Sequence, residues 1–312
     1  MDKRLPFSPA PLPRAQVPLV VIIILSWDSI EDTLACLRSA LCSDYPNFEI
    51  LVVDNAQQPG LGDILQRDFP EVYLLRNPEN LGYAAGNNRG IGWALEQGAQ
   101  WVLLLNDDIT LEPDTCRLLV ELAAQDLRVA AAGGKVRPKD QPGKLWAAGE
   151  AFERQQPVVQ DKGQFNTPQA VRYVAGCCIL LSRIALAKIG LFDELYFMLA
   201  EEKDWCQRAI RAGFSIRYHP QAVAWHDLRD SLGVRQSPLY HYLYVRNNLY
   251  FWQKFSPQAT LQNRQRKIID LIWQEIQFIY RHGKQRLRRS EAALRGAQDF
   301  LSGRFGPPPG DL

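Results

Sequence analysis

The sequence predicts an α/β protein built on a mostly parallel sheet with helices on both faces. Short apolar stretches rich in β-branched residues alternate with amphipathic stretches through the first half of the chain. This alternation is typical of parallel strands joined by crossover helices. The length of 312 residues and the hydrophobic content of 46% allow one large domain with a substantial core.

Four apolar stretches predict the buried strands of this sheet. They cover residues 19–25, 49–53, 72–75 and 101–105. An apolar run near the start of a chain can imitate a signal peptide, but the first stretch is short and β-branched, and no small-residue cleavage site follows it. A buried strand is the better interpretation. No stretch of the sequence is long and apolar enough to predict a membrane-spanning helix.

Apolar residues at helical spacing predict the segments that join these strands. The first helix is expected over 29–41. Further helices are predicted over 61–69, 86–97 and 114–124. The last of these starts beside Pro113, with Asp114 as a candidate N-cap. Right-handed crossovers bring the carboxyl ends of the strands to one edge of the sheet, where ligands bind in folds of this kind.

The second half of the chain has a less regular pattern. Residues 133–169 are rich in Gly, Pro and Gln, which predicts loops with short strands. Beyond them we expect strands over 173–181, 215–218 and 222–225, and short helices over 184–189 and 205–212.

After Asn263 the pattern becomes helical and basic. From Gln262 to Arg304 there are ten Lys/Arg and four Asp/Glu, a net charge of +6. One helical face carries four isoleucines, with three large apolar residues beside it: Ile268, Ile272, Ile276 and Ile279, then Ile269, Trp273 and Tyr280. Two interpretations remain open, a basic amphipathic helix on an anionic membrane surface and a helix that packs on the catalytic lobe with a solvated basic face.

Composition excludes several classes of protein. The net charge of +2 gives no sign of nucleic-acid binding. Six cysteines stand at 36, 42, 116, 177, 178 and 206 without any Cys-x-x-Cys spacing, so they favour buried reduced thiols in a cytosolic protein over disulfides or a zinc site. Residues 1–16 contain Pro6, Pro9, Pro11 and Pro13 and predict a disordered leader.

The sharpest chemical signal is Asn106-Asp107-Asp108, directly after the predicted strand 101–105. A diphosphate leaves easily only if its negative charge is neutralised as the bond breaks. A divalent cation held by a carboxylate does this, and Mg²⁺ or Mn²⁺ suits such oxygen ligands. The alternative is an Asp that caps the next helix, but Asp114 is better placed for that.

Asp54 follows the neighbouring strand and falls on the same predicted edge. Its carboxylate could accept hydrogen bonds from a nucleoside, either from a ribose hydroxyl or from a pyrimidine N–H. The alternative is turn capping, which is common for Asp-Asn.

A glycine-rich segment covers residues 80–90, where Gly82, Gly86 and Gly90 recur every four residues. On a helix they would share one face and permit close approach of another backbone, with tight packing as the simpler interpretation. The spacing is neither a dinucleotide fingerprint nor a P-loop.

Three carboxylates lie close together at Glu201, Glu202 and Asp204. One of them near a sugar could deprotonate an acceptor hydroxyl, helped by neighbouring negative charge that raises its pKa. From composition alone, a solvated acidic helix start is the preferred interpretation. His226 ends the apolar stretch 222–225 and is a candidate metal ligand, although a single His is more often structural.

Taken together and in order, these motifs resemble the inverting enzymes of glycosyltransferase family 2, in particular the bacterial rhamnosyltransferase-like branch. The resemblance runs from about residue 17 to about 255 and is carried by residues 50–55 (ILVVDN), 80–90 (NLGYAAGNNRG), 103–109 (LLLNDDI), 190–193 (GLFD), 197–204 (FMLAEEKD) and 222–226 (AVAWH). Several ordered motifs are more specific than any one of them.

The resemblance implies a GT-A fold, a divalent metal held by Asp108, and a nucleoside contact at Asp54. It places Glu202 at the family's catalytic base, and His226 at a late metal or phosphate ligand. The remaining donor contacts that it implies are Asn80, Gly82, Asn87, Asn88, Asn106, Asp107 and Arg246.

The sequence departs from the family pattern at three points. Ser26-Trp27 replaces the usual Asn-Tyr after the first strand, which changes the nucleoside contacts expected there. Asn106 replaces the first Asp of the metal motif. Glu202 replaces an Asp, so Glu201 or Asp204 could share its role.

The resulting hypothesis is direct displacement with inversion, from a dTDP- or UDP-sugar, with rhamnose as the first candidate, to a glycan or lipid-linked acceptor. The expected organisation is a nucleotide-sugar-binding half (17–135), an acceptor-binding half (136–255), a basic helical extension (256–304) and a flexible tail (305–312). We expect a cytoplasmic enzyme, peripheral on the inner face of the plasma membrane if the basic helix binds lipid. The alternatives are a sugar-nucleotide nucleotidyltransferase, and a non-catalytic membrane-surface scaffold on a degenerate GT-A fold.

Overall fold

The computed structural model describes residues 17–27, 29–151, 158–228, 237–282 and 285–312. The predicted disordered leader, 1–16, lies outside the described residues. Among the helices that are described, none is long and apolar enough to cross a membrane.

The first half of the chain alternates strands and helices, as predicted. Its strands are β1 (Val20–Ser26), β2 (Phe48–Asp54), β3 (Tyr73–Arg76), β4 (Trp101–Asn106) and the short β5 (Ile109–Leu111). Its helices are α1 (Ile30–Leu41), α2 (Leu61–Asp68), α3 (Gly82–Glu96) and α4 (Thr115–Ala124). β1 lies between β2 and β4 and is parallel to both, and β3 is parallel to β2. Every residue of β1 is buried, which explains its unbroken apolar sequence.

The second half completes a mixed sheet. Its strands are β6 (Val129–Pro138), β7 (Lys144–Leu145), β8 (Ala147–Ala148), β9 (Glu150–Ala151), β10 (Val159–Gln160), β11 (Gln169–Val171), β12 (Cys178–Ser182) and β13 (Ser215–His226). The main sheet has the order β11-β13-β6-β12-β4-β1-β2-β3. β12 is antiparallel to both β4 and β6, so the run of parallel neighbours from β3 to β4 ends there, and β6 pairs in parallel with β13 beyond it. The two strands predicted over 215–218 and 222–225 form one strand, β13, with an irregularity between Tyr218 and Val223.

The helices of the second half are α5 (Arg183–Ile189), α6 (Glu201–Arg211), α7 (Pro238–Phe255), α8 (Leu261–His282) and α9 (Arg286–Leu301). A 3₁₀ turn, Glu194–Tyr196, precedes α6. The basic extension therefore contains two helices. They pack with α7 around a separate apolar cluster: Val245, Leu249, Leu271, Ile279, Ala293 and Ala297.

The predicted flexible tail, 305–312, makes defined contacts instead. The ring of Phe305 packs 4.6 Å from that of Tyr250 in α7. Gly306 N–H donates to the carbonyl of Leu195, 2.9 Å away. Arg295 of α9 forms an ion pair with Asp311. The end of the chain is thus attached to the turn before α6.

Two helix starts differ in detail from the predictions. α3 begins at Gly82, four residues before the expected start, and Gly82 itself has a φ of +77°. Asp114 occupies the N-cap position of α4, but its side chain makes no capping hydrogen bond with any described residue. It lies instead 4.0 Å from Arg117.

Candidate active site

Parallel pairing brings the predicted donor residues to one edge of the sheet. Ser26 at the end of β1 lies opposite Asp54 of β2, and Leu25 lies opposite Asn106 of β4. The two acidic clusters therefore end on the same rim, as the strand pattern predicted.

Asp54 is fully buried at this rim. Its Oδ1 accepts backbone hydrogen bonds from Ala56 and Gln58 at 3.3 and 3.1 Å, so it does cap the turn after β2. Its Oδ2 lies 3.7 Å from the guanidinium of Arg76 at the end of β3. Sequence reasoning missed this cation, because only the pairing of β2 with β3 places Arg76 opposite Asp54.

Ser26 and Trp27 have different surroundings. Ser26 is buried and its hydroxyl lies 2.7 Å from that of Thr33 and 3.0 Å from Nε2 of Gln58. Trp27 is 47% exposed, so its ring is available at the rim. The backbone N–H of Trp27 donates to Asp107 at 2.8 Å and ties the end of β1 to the metal motif.

The metal motif holds two carboxylates in different environments. Burial is the main reason that the pKa of Asp107 rises to about 7, and the adjacent charge of Asp108 adds to the effect. The hydrogen bond from Trp27 opposes the rise. Asp108 Oδ2 lies 2.9 Å from Nε2 of His226.

β13 delivers His226 to this position. It pairs antiparallel with β5, which puts His226 opposite Ile109, and Asp227 N–H donates to the carbonyl of Asp108 at 3.0 Å. The edge of Trp146 packs against the imidazole, with the ring centres 4.9 Å apart. The sequence pattern linked Asp108 to His226 only through the family resemblance, and it did not indicate Trp146.

Oxygen atoms remain available for a cation here. Oδ1 of Asp108 and Oδ1 of Asn106 are buried, and neither has a hydrogen-bond partner among the described residues. Buried oxygen atoms without a partner are costly, so the chemistry of this pair suits a cation. No group of three or more His, Cys, Asp or Glu converges anywhere in the described residues. A Mg²⁺ or Mn²⁺ ion held by Asp108 and His226 would thus need oxygen atoms from a ligand, which is typical of a phosphate-bound metal.

The glycine-rich segment packs α3 tightly onto the sheet. A Cβ at Gly90 would lie 2.9 Å from Ile23, and one at Gly86 would lie 2.9 Å from Leu25. A Cβ at Gly82 would lie 2.5 Å from Phe197, just before α6. All three glycines therefore permit close approach of a neighbouring segment. At Gly86 and Gly90 that segment is β1, and at Gly82 it is the turn before α6.

The asparagines of this segment hold neighbouring loops. Asn80 accepts hydrogen bonds from Asn55 and from the backbone of Gly82. Asn88 exchanges hydrogen bonds with the backbone of Phe192 at 2.9 and 3.0 Å. Asn87 is fully buried and donates to the carbonyl of Tyr83. Asn88 therefore ties α3 to the segment before α6, whereas the Asn87 amide bonds within α3, so neither contact supports the predicted role in donor binding.

Glu201 and Glu202 form a carboxyl pair at the start of α6. Glu201 is 4% exposed, and its pKa is raised well above its usual range, first by burial and then by the charge of Glu202, with which it shares a hydrogen bond. Glu202 is half-buried. A protonated Glu201 can donate a hydrogen bond to the carboxylate of Glu202 and fix its orientation, while the half-exposed Glu202 stays open to an acceptor hydroxyl.

The peptide of Gly176-Cys177 connects this pair to the metal motif. The carbonyl of Cys177 accepts from Asn106 N–H at 3.1 Å, and that of Gly176 accepts from the hydroxyl of Tyr83 at 2.7 Å. A Cβ at Gly176 would lie 3.6 Å from Cβ of Glu202. Burial raises the pKa of the Cys177 thiol, and the charges of Asp108 and Glu202 both contribute. Asp108 and Glu202 therefore lie on either side of one short segment, Gly176-Cys177.

Asp204 has a different environment from Glu202. It is fully buried and lies 2.7 Å from Arg208 and 2.7 Å from Lys254, with the hydroxyl of Tyr196 at 3.2 Å. Because these three groups occupy its carboxylate and the side chain is fully buried, Asp204 is poorly placed to meet an acceptor hydroxyl. Its surroundings are those of an anchor for α6.

Arg246 lies away from any open surface. It is fully buried, and its guanidinium donates to the carbonyls of Tyr196 and Gly306 and to Oδ1 of Asn247. Because these acceptors occupy its donors, the arrangement gives no support to the predicted contact with diphosphate. The sequence motif identified the residue, but the two carbonyls that it binds, of Tyr196 and Gly306, are 50 and 60 residues away along the chain.

The turn before α6 has an unusual backbone. Phe197, Leu199 and Ala200 have φ values of +63°, +72° and +79°. Each such residue costs on the order of 1–3 kcal/mol unless its surroundings fix it, and strain of this kind clusters at functional sites. No Gly or Asn marks the turn in the sequence, so the pattern did not predict it.

The sequence matches a known protein family and is similar to known glycosyltransferases. Residues 19–190 match the family model described as glycosyl transferase family 2. The chain is 26% identical over 250 residues to the N-acetylglucosaminyl-diphospho-decaprenol L-rhamnosyltransferase of Mycobacterium tuberculosis, covering 70% of this chain and 78% of the relative. It is 23% identical over 297 residues to the low-salt glycan biosynthesis hexosyltransferase Agl10 of Haloferax volcanii, covering 92% of each chain.

Solved structures share the fold. The mannosyltransferase PcManGT from Pyrobaculum calidifontis, in complex with GDP-Man and Mn²⁺, has a TM-score of 0.58 at 17% identity, over 96% of this chain and 87% of that one. GalNAc-T7 with UDP, GalNAc and Mn²⁺ has a TM-score of 0.53 at 14% identity, over 75% and 51%. The predicted GT-A fold is thereby confirmed.

Proposed function

Since the chain belongs to glycosyltransferase family 2, we propose that this glycosyltransferase works by metal-assisted displacement with inversion, from a nucleoside diphosphate sugar to an acceptor hydroxyl. One observation carries the proposal. The pair of Asp108 and His226 and the pair of Glu201 and Glu202 lie on either side of the Gly176-Cys177 peptide. A leaving-group site and a proton acceptor are thus close to each other.

In this mechanism Asp108 and His226 would hold a Mg²⁺ or Mn²⁺ ion, which would supply positive charge for the departing diphosphate. An acceptor hydroxyl attacks the anomeric carbon while the bond from that carbon to the diphosphate oxygen breaks. Glu202 accepts the hydroxyl proton on its carboxylate as the new bond forms. Glu201 keeps its own proton because of its raised pKa, and its hydrogen bond orients Glu202.

The donor site follows from the rim of β1, β2 and β4. We assign the nucleoside to Asp54 and Trp27, with Arg76 fixing the carboxylate of Asp54. The relative from M. tuberculosis is named as a rhamnosyltransferase, so a dTDP-rhamnose donor is our first proposal, with UDP-sugars next. The same name contains a decaprenol acceptor, which favours a lipid-linked acceptor over a free glycan.

The outer face of α8 suits a membrane that would carry such an acceptor. Ile269, Trp273 and Tyr280 are 65%, 61% and 47% exposed, at spacings of four and seven residues that place them on one side of the helix. The exposed side chains of Arg266 and Arg281 belong to the same helix. An apolar stripe beside cations is complementary to an anionic lipid surface, so we propose peripheral attachment through this face.

The site is tested by a thermal-shift screen of UDP, dTDP and GDP with and without Mn²⁺. A ligand that binds only the folded state raises Tm, and a 100-fold excess over Kd adds about 2.7 kcal/mol. We expect one nucleotide to raise Tm only with the metal, and Asp108→Ala to remove that rise. Asp114→Ala, which changes a carboxylate outside the site, should keep it. If no nucleoside diphosphate raises Tm of the folded wild type, the transferase site is wrong.

The membrane face has its own test. Binding to vesicles of phosphatidylglycerol and phosphatidylcholine should weaken in Trp273→Ser and Ile269→Ser. The matched control is Leu127→Ser, which removes a side chain that is 72% exposed between α4 and β6. Equal binding by all variants would contradict attachment through α8. Point variants are preferable to deletion of the extension, because α9 and Gly306 contact α7 and the turn before α6.

A further inference from the structure

We propose that Asn247 and Arg246, on α7, are positioning residues that fix the strained turn 197–200 and thereby aim the Glu201–Glu202 pair. The proposal rests on the proposed function for the role of Glu202. It extends the catalytic unit to the three C-terminal helices, beyond the residues 19–190 that match the family model.

Asn247 makes three hydrogen bonds to the turn. It is fully buried, and its Nδ2 lies 2.9, 2.7 and 2.9 Å from the carbonyls of Tyr196, Met198 and Leu199. Tyr196 and Met198 each directly precede a residue at positive φ, and Leu199 is itself one of the three. A single amide group thus serves three carbonyls of the turn. Its loss would remove the donor to the carbonyls of Met198 and Leu199, while that of Tyr196 still accepts from Met198 N–H and Arg246.

Arg246 joins the same turn to the end of the chain. Its Nη2 donates to the carbonyl of Tyr196 at 3.1 Å and its Nη1 to that of Gly306 at 2.8 Å. Gly306 in turn donates from its N–H to the carbonyl of Leu195 at 2.9 Å. Arg246 Nε donates to Oδ1 of Asn247, which fixes the orientation of the amide. The Asn247 amide therefore presents its N–H groups to the turn.

The opposite side of the turn touches the donor half. The carbonyl of Phe197 accepts from Ala84 N–H at 3.0 Å, in the first turn of α3. The Phe197 ring fills the space that a side chain at Gly82 would take. The turn is held between the glycine-rich segment and α7, so α7 can set the distance between the carboxyl pair and the donor site.

Asn247 and Arg246 affect the orientation of Glu202, because neither side chain reaches the reacting atoms. A displacement of about 1 Å at a catalytic group can lower the rate by on the order of a hundredfold. Loosening the turn should therefore lower kcat while nucleotide binding at the rim of β1, β2 and β4 persists. A residue needed only for folding would instead reduce stability and nucleotide binding together.

The experiment compares Asn247→Asp and Asn247→Ala with Asn248→Asp. Asn247→Asp keeps the acceptor for Arg246 but replaces the donor that faces the three carbonyls. Asn248 is the matched control, because among the described residues its Nδ2 donates within α7, to the carbonyl of Tyr244. Three quantities are measured: kcat for release of nucleoside diphosphate from the sugar nucleotide, the Tm rise with that nucleotide and Mn²⁺, and amide hydrogen exchange over residues 195–204.

We expect both Asn247 variants to lower kcat by about tenfold to a hundredfold, to keep the Tm rise, and to exchange faster over 195–204, with no change in Asn248→Asp. Unchanged exchange in either Asn247 variant overturns the proposal, whatever the rate. So does faster exchange with kcat within twofold of wild type. If the wild type transfers no sugar, the proposed function fails, and hydrogen exchange still decides whether Asn247 holds the turn.

Discussion

The two halves of the proposed active site are built in different ways. On the donor side, Asp54 and Asn106 follow parallel strands, and the pairing of β1 with β2 and β4 sets their positions. On the acceptor side, Glu201 and Glu202 follow a turn with three residues at positive φ, and side chains from α7 hold that turn.

Different interactions therefore position the catalytic side chains on the two sides. Strand pairing sets the positions of the donor-side residues. A substitution there therefore acts through the packing of α3 on β1 or through the loss of an atom that binds the ligand. The carboxyl pair inherits its geometry from hydrogen bonds between segments that are distant in sequence. We therefore expect substitutions around the pair to change rates more than stability, and substitutions beneath the rim to do the reverse.

The largest expected effect is on the acceptor side, in Glu202→Gln. This change removes the proton acceptor and keeps the size of the side chain, so kcat should fall by about 10²–10⁴. Nucleotide-dependent Tm shifts should persist, since the rim is untouched. The matched variant is Glu201→Gln, which still donates a hydrogen bond and should stay within about tenfold of wild type. If Glu201→Gln is the more damaging of the two, the roles are exchanged.

The same contrast explains what the sequence could predict. Asp54, Asn106 and Asp108 were identifiable because a strand end fixes a position relative to other strand ends. Asp108 and His226 are 118 residues apart, and their contact depends on the pairing of β5 with β13, which the strand pattern alone does not show. The resemblance to GT-A enzymes was what linked Asp108 and His226 as metal ligands.

The acceptor side was less predictable for a physical reason. The turn 197–200 carries no glycine, so its positive φ values result from tertiary hydrogen bonds by Asn247, which is 48–51 residues away from its acceptors. For Arg246 the motif indicated a charged contact, but the charge is buried among carbonyls. The amphipathic pattern of α8 left two interpretations open because the helix has both a packed face and an exposed apolar one.

A second prediction tests the donor half through Gly90→Ala. The new methyl group would lie 2.9 Å from Ile23 in the fully buried β1, so we expect a loss of about 1–3 kcal/mol in the free energy of unfolding. Gly92→Ala is the matched control two residues along α3, where a Cβ meets no atom within 4 Å. It should gain about 0.5–1 kcal/mol from helix propensity. Equal effects in urea unfolding would mean that α3 does not pack on the sheet as described.

A smaller effect is expected in the pH dependence of Glu201→Gln. The folded protein raises the pKa of Glu201, so it keeps a proton that the unfolded chain loses above its ordinary value of 4.5. Wild-type stability must then fall as pH rises from that value towards the folded pKa. Because Gln cannot ionise, the variant should gain in Tm over wild type by an amount that grows from pH 5 to pH 8. A Tm difference in Glu201→Gln that stays flat with pH contradicts the buried, protonated state.

The smallest effect tests whether the strained turn serves orientation, and Ala200→Gly is the probe. Glycine adopts a φ of +79° without strain, and this relief of about 1–3 kcal/mol offsets the greater freedom of glycine in the unfolded chain. The net change in Tm should therefore be near zero or positive. Ala124→Gly, in the exposed last turn of α4, lacks that relief and should lose about 0.5–1 kcal/mol. Since glycine also permits other conformations, Ala200→Gly should lower kcat severalfold although it does not destabilise the fold. If kcat is unchanged and Tm falls as in Ala124→Gly, then the backbone at Ala200 is not the strained conformation that aims Glu202.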